Sequence, residues 1–450
     1  MKYPIRAVMQ YELFPVEADF FIVGGGMMGS VAAWWLKQRS RDEDCRVVVV
    51  ESDETFGKNA TSLCQGAVKV QFSQPELVEL ALFGTEFLRN AGEHLRILDS
   101  EPPKIDFTPM GHLFLTDNEE KAKRMEAAVK MQIECGAKVT VLNHDELKQR
   151  FPFMNFDNIL LGTMGLENEG IVDPWQILSA FREKNLTLGV QYVKGKVVNF
   201  EYEQIGDLEA KTIFKDEDQW KFCKLSNAVV VPEMCDAAPR PVRSTVVFNC
   251  AGPWASDIAR SAGLGLGHKR SFMSIPVPVE RRKRFVFVVH CPDGPGLDMP
   301  FMIDPSGVWC RRDTVNGSLY LCGKRPTEEE DEHVIDHSNL DVDYNFFDER
   351  IWPVLAKRIP AFECMKVKNA WAGYYDQNWY DDAPIIGTHV ANRRFYNLCG
   401  FGGNGLQLAI GAGRAAMEKF YDGAYVEVNL RRYGIERMMM SKKIEDDFLI

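Results

Sequence analysis

The sequence contains no Cys-x-x-Cys pair, no long apolar run and no excess of basic residues. Its eleven cysteines are scattered singly along 450 residues, which argues against a disulfide framework, a zinc site or an iron–sulfur site and favours a reducing compartment. No apolar run approaches the ~18 residues that a membrane span requires. The formal net charge of −11 argues against nucleic acid as a general partner, because phosphate binding requires a basic surface.

The overall composition is that of a globular protein, with 46% hydrophobic and 26% charged residues. The length suffices for a large core and predicts two lobes. The first residues include Glu12 and Glu17 beside Lys2 and Arg6. A transit peptide is usually rich in arginine and serine and poor in acids, so we find no convincing targeting signal in this stretch.

The N-terminal segment DFFIVGGGMMG joins an apolar run to a glycine-rich turn. Residues 20–23 predict a strand buried on both faces of a parallel sheet. Gly24, Gly26 and Gly29 follow with the spacing G-x-G-x-x-G, which serves a tight turn, a close approach to a pyrophosphate and close packing of helix on strand. A helix predicted over 30–37 would direct its free amide groups at the phosphates.

An acidic residue follows the second predicted strand of this unit. Residues 46–50 (RVVVV) predict another buried strand, which ends at Glu51. An acid at this position is placed to accept hydrogen bonds from ribose hydroxyls, and it favours an unphosphorylated adenosine ribose, as in FAD or NAD. The combination disfavours the alternative, a βαβ unit that binds no ligand.

Two later regions offer further walls for a ligand site. Residues 245–249 predict a buried strand that runs into the small-residue turn CAGPW, which is either a second wall of the site or an ordinary strand-to-helix connection. Residues 371–387 and 400–413 are dense in glycine and aromatic residues, and the second segment opens a helix predicted over 406–421. A helix start of this kind offers free amide groups to a ligand.

Five segments occur in the order found in the D-amino-acid oxidase and sarcosine oxidase family of FAD-dependent oxidoreductases, which the chain resembles. They are GGGMMG with Glu51, TSLCQG, FNCAGPWA, WAGYYDQNWYDDAPIIG and GFGGNGLQLAIGAG. The resemblance implies an α/β fold: a discontinuous Rossmann FAD-binding domain of the glutathione-reductase type, with an inserted, mainly antiparallel α+β substrate domain. The expected FAD-binding parts are 19–100, 166–265 and 366–440, and the expected substrate-domain parts are 101–165 and 266–365.

The resemblance also assigns the cofactor and its contacts. The residues implied to bind FAD are Gly24, Gly26, Gly29, Glu51, Thr61, Ser62, Gly66, Ala251, Gly252, Trp254, Gly402, Gly403, Gly405 and Leu406. For Trp254, burial as a core aromatic residue is the alternative. Family members that hold flavin covalently use a cysteine or a histidine at places that are Tyr374 and Leu63 here, so we expect non-covalent FAD, with Cys64 as a near neighbour.

The candidate catalytic residues are Lys69, Tyr374, Asn404 and Gln407. The family's substrate-binding lysine is replaced by Gln407 and a nearby histidine by Asn404. A neutral amide binds a carboxylate less strongly than a cation does, which argues against simple amino-acid oxidation.

Lys69, expected over the flavin, would polarise oxygen or orient an acid. Arg311 and Arg312 would hold a substrate carboxylate. The alternative for these three cations is a surface charge, and for Tyr374 it is core packing.

Two functions follow from the resemblance and remain open. One is a flavoenzyme that oxidises a C–N bond of a small-molecule amine or amino acid. The other is an assembly factor that binds subunits of respiratory complex I, because the resemblance is greatest to a mitochondrial family member linked to that process. The resemblance therefore implies a location in the mitochondrion, in the matrix or at the matrix face of the inner membrane.

Overall fold

The computed structural model describes residues 14–41, 44–204, 223–233, 238–269, 271–313, 317–331, 336 and 338–449. The strands are β1 (Glu17–Val23), β2 (Val47–Glu51), β3 (Ala67–Val68), β4 (Phe107–Pro109), β5 (His112–Thr116), β6 (Val139–Asn143), β7 (Leu161–Gly165), β8 (Gly170–Val172), β9 (Gln191–Gln204), β10 (Cys223–Pro232), β11 (Arg240–Asn249), β12 (Val279–His290), β13 (Phe301–Ile303), β14 (Val308–Arg312), β15 (Leu319–Lys324), β16 (Lys366–Asn378), β17 (Ile385–His389) and β18 (Asn392–Cys399).

The α-helices are α1 (Met27–Arg39), α2 (Pro75–Arg89), α3 (Ala91–His94), α4 (Glu119–Glu134), α5 (His144–Arg150), α6 (Pro174–Thr187), α7 (Ala255–Ser261), α8 (Tyr344–Phe346), α9 (Trp352–Arg358), α10 (Gly405–Tyr421) and α11 (Glu436–Met439). Short 3₁₀ turns lie at Gly252–Trp254, Phe272–Ser274, Gly296–Asp298, Pro360–Cys364, Gly402–Asn404 and Arg431–Tyr433, and a π turn lies at Phe347–Ile351. Within the described ranges, no helix is both long and apolar enough to cross a bilayer.

The first sheet has a parallel centre, as a dinucleotide-binding domain requires. β1 lies between β2 and β11 in parallel register, β9 extends the sheet beyond β2, and β18 extends it beyond β11. β17 pairs antiparallel with β18 at one edge. The later part of β9 and the earlier part of β11 pair antiparallel with β10, so these three strands form a meander within the same sheet. The buried runs predicted at 20–23, 46–50 and 245–249 all lie in the central strands.

The second sheet is mainly antiparallel, and its strand order is β16-β12-β15-β14-β13-β5-β7-β6. Only the β13–β5 pairing among them is parallel. A third, small sheet consists of β3, β8 and β4. Its strands occur in the sequence where the chain passes from one large sheet to the other. These sheets confirm the predicted fold class, an α/β cofactor domain with an inserted antiparallel lobe.

The predicted domain limits remain a prediction. One strand, however, belongs to a different sheet from the one that its predicted domain implies. β16 falls in the range 366–440, which was assigned to the FAD-binding domain. It pairs over most of its length with β12 and is therefore an edge strand of the second sheet. The chain returns to the first sheet with β17 and β18.

Each sheet has its own core. In the first, α1 and α10 cover one face, and a Cβ on Gly413 would lie 2.8 Å from Val31 Cγ1, so the two helices approach closely. In the second, Phe287, Tyr320 and Phe362 are fully buried with residues of α9. Local capping helps to set the helix starts: Asp173 accepts hydrogen bonds from the Trp175 and Gln176 amides and begins α6, as the sequence predicts.

Candidate functional site

The glycine turn after β1 has a backbone that other residues could not adopt. Gly24 has a φ of +102°, and a Cβ there would lie 2.4 Å from the Cys250 carbonyl oxygen. A Cβ on Gly29 would lie 1.9 Å from the Gly24 carbonyl oxygen. The first and third glycines therefore serve the turn and the close packing of α1 on β1.

Glu51 lies directly against this turn. Its Oε2 accepts a hydrogen bond from the Gly25 amide at 2.8 Å, and its Oε1 accepts one from the Asp53 amide at 2.9 Å. Burial raises the pKa of the carboxyl above its ordinary value, and these amide hydrogen bonds oppose that shift. The acid is thus held at the carboxyl end of β2, beside the start of α1.

A cavity of about 850 Å³ begins at this turn and extends to the second sheet. The predicted cofactor residues that line it are Gly24, Gly26, Glu51, Thr61, Ala251, Gly252, Trp254, Gly402, Gly403, Gly405 and Leu406. The Thr61 hydroxyl oxygen also accepts a hydrogen bond from the Met27 amide at 3.1 Å, so the loop after β2 is tied to the first turn of α1. Four separate stretches of the chain therefore meet at one cavity.

Helix α10 points its amino end into the same cavity. Gly405 and Leu406 line the wall, and no side chain caps the helix. The Asn404 side chain does not act as a cap, and its Oδ1 is buried with no hydrogen-bond partner in the described part of the chain. Uncapped amide groups and the positive end of the helix dipole favour an electron-rich or anionic ligand group here.

The second sheet closes the cavity with aromatic side chains. Tyr374 packs edge-on against Trp254, with 5.3 Å between ring centroids. Tyr375 lies so close to the Gly402 turn that a Cβ on Gly402 would be 2.4 Å from the Tyr375 hydroxyl oxygen. Both tyrosines line the cavity, so the predicted Tyr374 is at the site.

Three cations of the second sheet also line this end of the cavity: Arg284, Lys324 and Arg325. Arg284 forms two contacts with the Asp331 carboxylate, at 2.5 and 3.0 Å, and its guanidinium lies 5.0 Å from the centre of the Tyr375 ring. Lys324 Nζ lies 2.6 Å from the carboxylate of Glu330, and Arg325 lies 2.9 Å from that of Asp382. Each cation is therefore paired with an acid at the rim.

The cavity fits an extended adenine dinucleotide. At one end, the glycine turn lets backbone approach a pyrophosphate, and Glu51 is held for a ribose. At the other, the uncapped amides of α10 face the aromatic wall. In the described ranges, no cluster of histidine, cysteine and acidic residues could hold a metal ion.

Three predicted cofactor residues lie behind the cavity wall. Gly29 packs α1 on β1, as described above. The Ser62 hydroxyl donates hydrogen bonds to the Phe56 and Asn59 carbonyl oxygens, at 2.5 and 3.0 Å, and so shapes the loop. Gly66 has a φ of +77°, and a Cβ there would lie 2.3 Å from the Val172 carbonyl oxygen. These residues support the site without being part of its lining.

Lys69 does not lie over the cavity as predicted. Its side chain is fully buried, its Nζ donates to the Gln71 carbonyl oxygen at 2.7 Å, and the ammonium lies 3.5 Å from the centre of the Phe72 ring. Burial lowers the pKa of Lys69 to about 8. The ammonium therefore points to the Gln71 backbone and the Phe72 ring, and the cavity lining includes Ala67 but not Lys69.

Asn404 and Gln407 also stay behind the wall. Both side chains are buried, and neither is part of the lining formed by Gly402, Gly403, Gly405 and Leu406. The turn presents its backbone to the cavity, and the helix directs these two amides into the protein. The predicted places of the family's histidine and lysine therefore contribute no side chain to the cavity surface.

Arg311 and Arg312 are not in the cavity lining either. Arg311 is buried, and its guanidinium donates to the carbonyl oxygens of Gln65 and Arg312, each at 2.9 Å. Burial lowers the pKa of Arg311 to about 10. Arg311 therefore holds the loop that carries Thr61 from behind the cavity wall, and the cations at the aromatic end of the cavity come from β12 and from the end of β15.

The two family attachment positions carry Tyr374 and Leu63 in place of the cysteine and the histidine. Leu63 lines the cavity, and its carbonyl oxygen accepts a hydrogen bond from the Trp371 indole at 2.9 Å. Cys64 also lines the cavity, and burial raises the pKa of its thiol to about 11. A thiol that stays protonated is a poor nucleophile, so the prediction of non-covalent FAD stands as a prediction.

Four charged residues line the cavity although they were not predicted to do so: Arg284, Lys324, Arg325 and Asp376. A signal for Arg284 existed: in a strand, residues alternate between faces, so the run RRKR places Arg282 and Arg284 together on one face. The remaining three depend on which strands are neighbours. No local pattern marks that choice.

Comparison with known proteins places the chain in a family. The family model described as "FAD dependent oxidoreductase" matches residues 19–419. The chain is 43% identical to FAD-dependent oxidoreductase domain-containing protein 1 of Xenopus laevis over 95% of this chain and 83% of that protein. It is 39% identical to the protein of the same name from Bos taurus, over 97% of this chain and 88% of that protein.

Solved structures share the fold at low identity. L-Proline dehydrogenase from P. horikoshii superposes with a TM-score of 0.72 at 19% identity, covering 96% of this chain and all of that one (100%). Glycine oxidase from Geobacillus kaustophilus superposes with a TM-score of 0.69 at 18% identity, covering 94% and 99%. The family match, which spans most of the chain, and the dinucleotide-shaped cavity agree, and the chain belongs to the D-amino-acid oxidase family of FAD-dependent oxidoreductases, with FAD as its cofactor.

Proposed function

We propose that the protein oxidises a C–N bond of a small amine or amino acid that carries an anionic group. The observation that carries the proposal is that both sheets line one cavity. The glycine turn and α10 form one side of it, and aromatic and cationic residues of the second sheet form the other. L-Proline dehydrogenase and glycine oxidase, which share the fold, are named for substrates with a nitrogen next to a carboxylate. Bound FAD supplies the two-electron acceptor for such a reaction.

The chain's own residues would bind and orient the substrate. Tyr374 and Tyr375 would cover its apolar part and exclude water, since their rings form the wall opposite α10. Arg284 is suited to a carboxylate because its planar guanidinium can form two parallel hydrogen bonds. The Asp331 carboxylate already accepts both of these hydrogen bonds. A substrate carboxylate would therefore have to share Arg284 with Asp331 or displace Asp331 from it.

The test is anaerobic reduction of the FAD-loaded protein by a panel of N-methyl amino acids, cyclic imino acids and simple amines. We expect one class to bleach the flavin absorbance. Arg284→Ala should then raise KM for the anionic substrate at least ~10-fold, because a charge-assisted hydrogen bond contributes ~1.5–3 kcal/mol. Arg282→Ala is the matched control, since Arg282 shares the strand and contacts Asp331 at 3.8 Å without lining the cavity.

Reduction by dithionite without reduction by any amine would contradict the proposal. An acid-precipitation step on the same sample tests the mode of attachment. Flavin that remains in the supernatant supports non-covalent binding, and flavin in the pellet contradicts it.

We also propose a role in the assembly of respiratory complex I within the mitochondrion, which rests on the family resemblance. One structural feature favours a function without rapid turnover: the three cations at the aromatic end are each paired with an acid, and the lysine position of the family is held by Gln407. In this second role FAD would mainly stabilise a fold that binds complex I subunits.

Cells depleted of the protein test this second proposal. We expect reduced levels of assembled complex I, restored by the wild-type chain, together with protease protection of the chain inside isolated mitochondria. Normal complex I levels, or a location outside mitochondria, would contradict it. Rescue by Arg284→Ala but not by a variant that fails to bind FAD would separate assembly from catalysis.

A further inference from the structure

Asp376 is a buried carboxylate in the wall of the cofactor cavity. It lies on β16, one residue after Tyr375, and the residue is 8% exposed. Its Oδ2 accepts a hydrogen bond from the Phe401 amide at 3.0 Å, and the backbone of Gly400 and Gly402 also hydrogen-bonds the carboxylate. The acid is therefore held against the turn that opens α10.

The other carboxylates of the cavity wall are placed differently. Glu51 and Asp53 lie at the glycine-turn end. Asp257 pairs with Arg281 at 2.5 Å. Within the described ranges, no cation forms an ion pair with Asp376.

The described titratable groups around Asp376 do not neutralise the negative charge of its carboxylate. Arg281 lies opposite it in the β12–β16 register but directs its guanidinium to Asp257 and over the Trp254 ring. From β18 the nearest titratable group is the buried Cys399 thiol, whose pKa is raised well above its ordinary value by burial. On its own strand, Tyr375 also has a raised pKa because it is buried.

Two opposing effects set the charge of this carboxyl. Burial disfavours the charged form, and the amide hydrogen bonds favour it. Burial prevails and raises the pKa of Asp376 to about 7. A group of this kind changes its protonation when a new charge appears nearby.

Glu51 marks the adenosine end of the cavity, so the redox-active ring of bound FAD would lie at the end that holds Asp376. We propose that Asp376 is the proton-accepting residue coupled to cofactor reduction, taking up one proton on its carboxylate when the flavin becomes negatively charged. Two electrons and one proton pass from the reductant and solvent to the flavin, and a second proton passes from solvent to Asp376. Both protons leave when an acceptor removes the two electrons.

The proposal predicts a pH-dependent proton count. Near neutrality, Asp376 is charged beside oxidised flavin and neutral beside reduced flavin, so two protons are taken up for two electrons. At lower pH it is already neutral in both states, and at higher pH it is charged in both, so one proton is taken up. The inference requires bound FAD but no particular amine, because a chemical reductant replaces the substrate.

The test is stepwise reduction of the FAD-loaded full chain by dithionite in weak buffer with a pH electrode, from about pH 5 to about pH 9, with the protons released by oxidation of the same amount of dithionite subtracted at each pH. We expect the number of protons per FAD to rise above one near neutral pH in the wild-type protein. Asp376→Asn should take up one proton throughout, because its amide oxygen still accepts from Phe401 but cannot be protonated in this range. Asp19→Asn, the matched control, should keep the wild-type profile, because this carboxylate also accepts from a backbone amide, that of Arg46 at 2.8 Å, but does not line the cavity.

A wild-type protein that takes up one proton at every pH overturns the proposal, as does an Asp376→Asn variant with the wild-type profile. If the variant does not bind FAD, infrared difference spectra of the wild-type protein test whether a carboxylate takes up a proton on reduction. Reduction near neutral pH should then produce the carbonyl band of a protonated carboxyl, and its absence overturns the proposal. Failure of every amine to reduce the flavin would contradict the proposed oxidation and leave these outcomes unchanged.

Discussion

The side-chain amide nitrogen of Gln407 lies 3.4 Å from the backbone carbonyl oxygen of Lys69. Both residues were predicted to be catalytic, and they meet each other behind the cavity wall. The Gln407 carbonyl oxygen is buried with no partner in the described part of the chain. The first turn of α10 and the segment after β3 are therefore packed together where the family has a substrate-binding lysine.

This contact predicts that restoring the lysine will not restore carboxylate binding. Gln407→Lys would place a second buried ammonium near Lys69, and a buried unpaired charge costs on the order of 3–5 kcal/mol. We expect that loss in the free energy of unfolding, measured with urea. Gln407→Met, a neutral side chain of similar length, should cost less than about 1 kcal/mol. A stable Gln407→Lys variant that is reduced faster by amino acids would contradict the placement.

Glu51 should control the affinity for FAD. Its carboxylate is held beside the glycine turn, and a hydrogen bond to a charged group contributes ~1.5–3 kcal/mol. Glu51→Ala should therefore weaken FAD binding ~10- to 100-fold, measured by fluorescence titration of the apoprotein. Asp19→Ala removes a similar bond, to the Arg46 amide at 2.8 Å, at the opposite end of the sheet. Equal losses of affinity in the two variants would contradict a specific role for Glu51.

The Gly24 turn should not tolerate a methyl group. Gly24 and Gly136 both have positive φ angles, +102° and +94°, but a Cβ at Gly136 would meet no atom within 4 Å. Backbone strain alone costs ~1–2 kcal/mol, so Gly136→Ala should lose about that much stability. Gly24→Ala adds the clash with the Cys250 carbonyl and should unfold at clearly lower urea concentration and bind no FAD. Similar midpoints for the two variants would be inconsistent with the turn described.

His389 should make the protein less stable in mild acid. It is fully buried, its Nε2 lies 2.9 Å from the Ile275 carbonyl oxygen, and burial lowers its pKa from 6.5 to about 4. Between these values the unfolded chain binds a proton that the folded chain does not, so stability is complete above pH 6.5 and falls as the pH drops toward 4. The loss reaches about 3 kcal/mol near the lower limit.

Comparison of unfolding free energies near pH 7.5 and about pH 5 tests this prediction. Asp376 and Glu51 titrate in the opposite sense, because burial raises both pKa values. The informative quantity is therefore the difference between wild type and His389→Gln. A variant that loses as much stability in acid as the wild type would show that another group is responsible.

The sequence by itself determined the cofactor end of the site. The turn of Gly24, Gly26 and Gly29 and the glycines that open α10 each act through backbone geometry within a few residues, and Glu51 ends the next strand of the same βαβ unit. Neighbouring residues determine a backbone turn of this kind, so the sequence alone predicts it. The alternation of a parallel sheet with an antiparallel lobe likewise followed from the buried apolar runs and the family resemblance.

Only the tertiary structure decided which charged side chains reach the cavity. Lys69 and Arg311 lie close in sequence to cavity residues, yet they point behind the wall, because their side chains donate hydrogen bonds to the Gln71 and Gln65 carbonyl oxygens, respectively. Arg284, Lys324, Arg325 and Asp376 reach the cavity because β12, β15 and β16 are neighbours in one sheet. Strand order and register are set by packing between distant segments, so the direction of a side chain at their junction cannot be read from its neighbours in sequence.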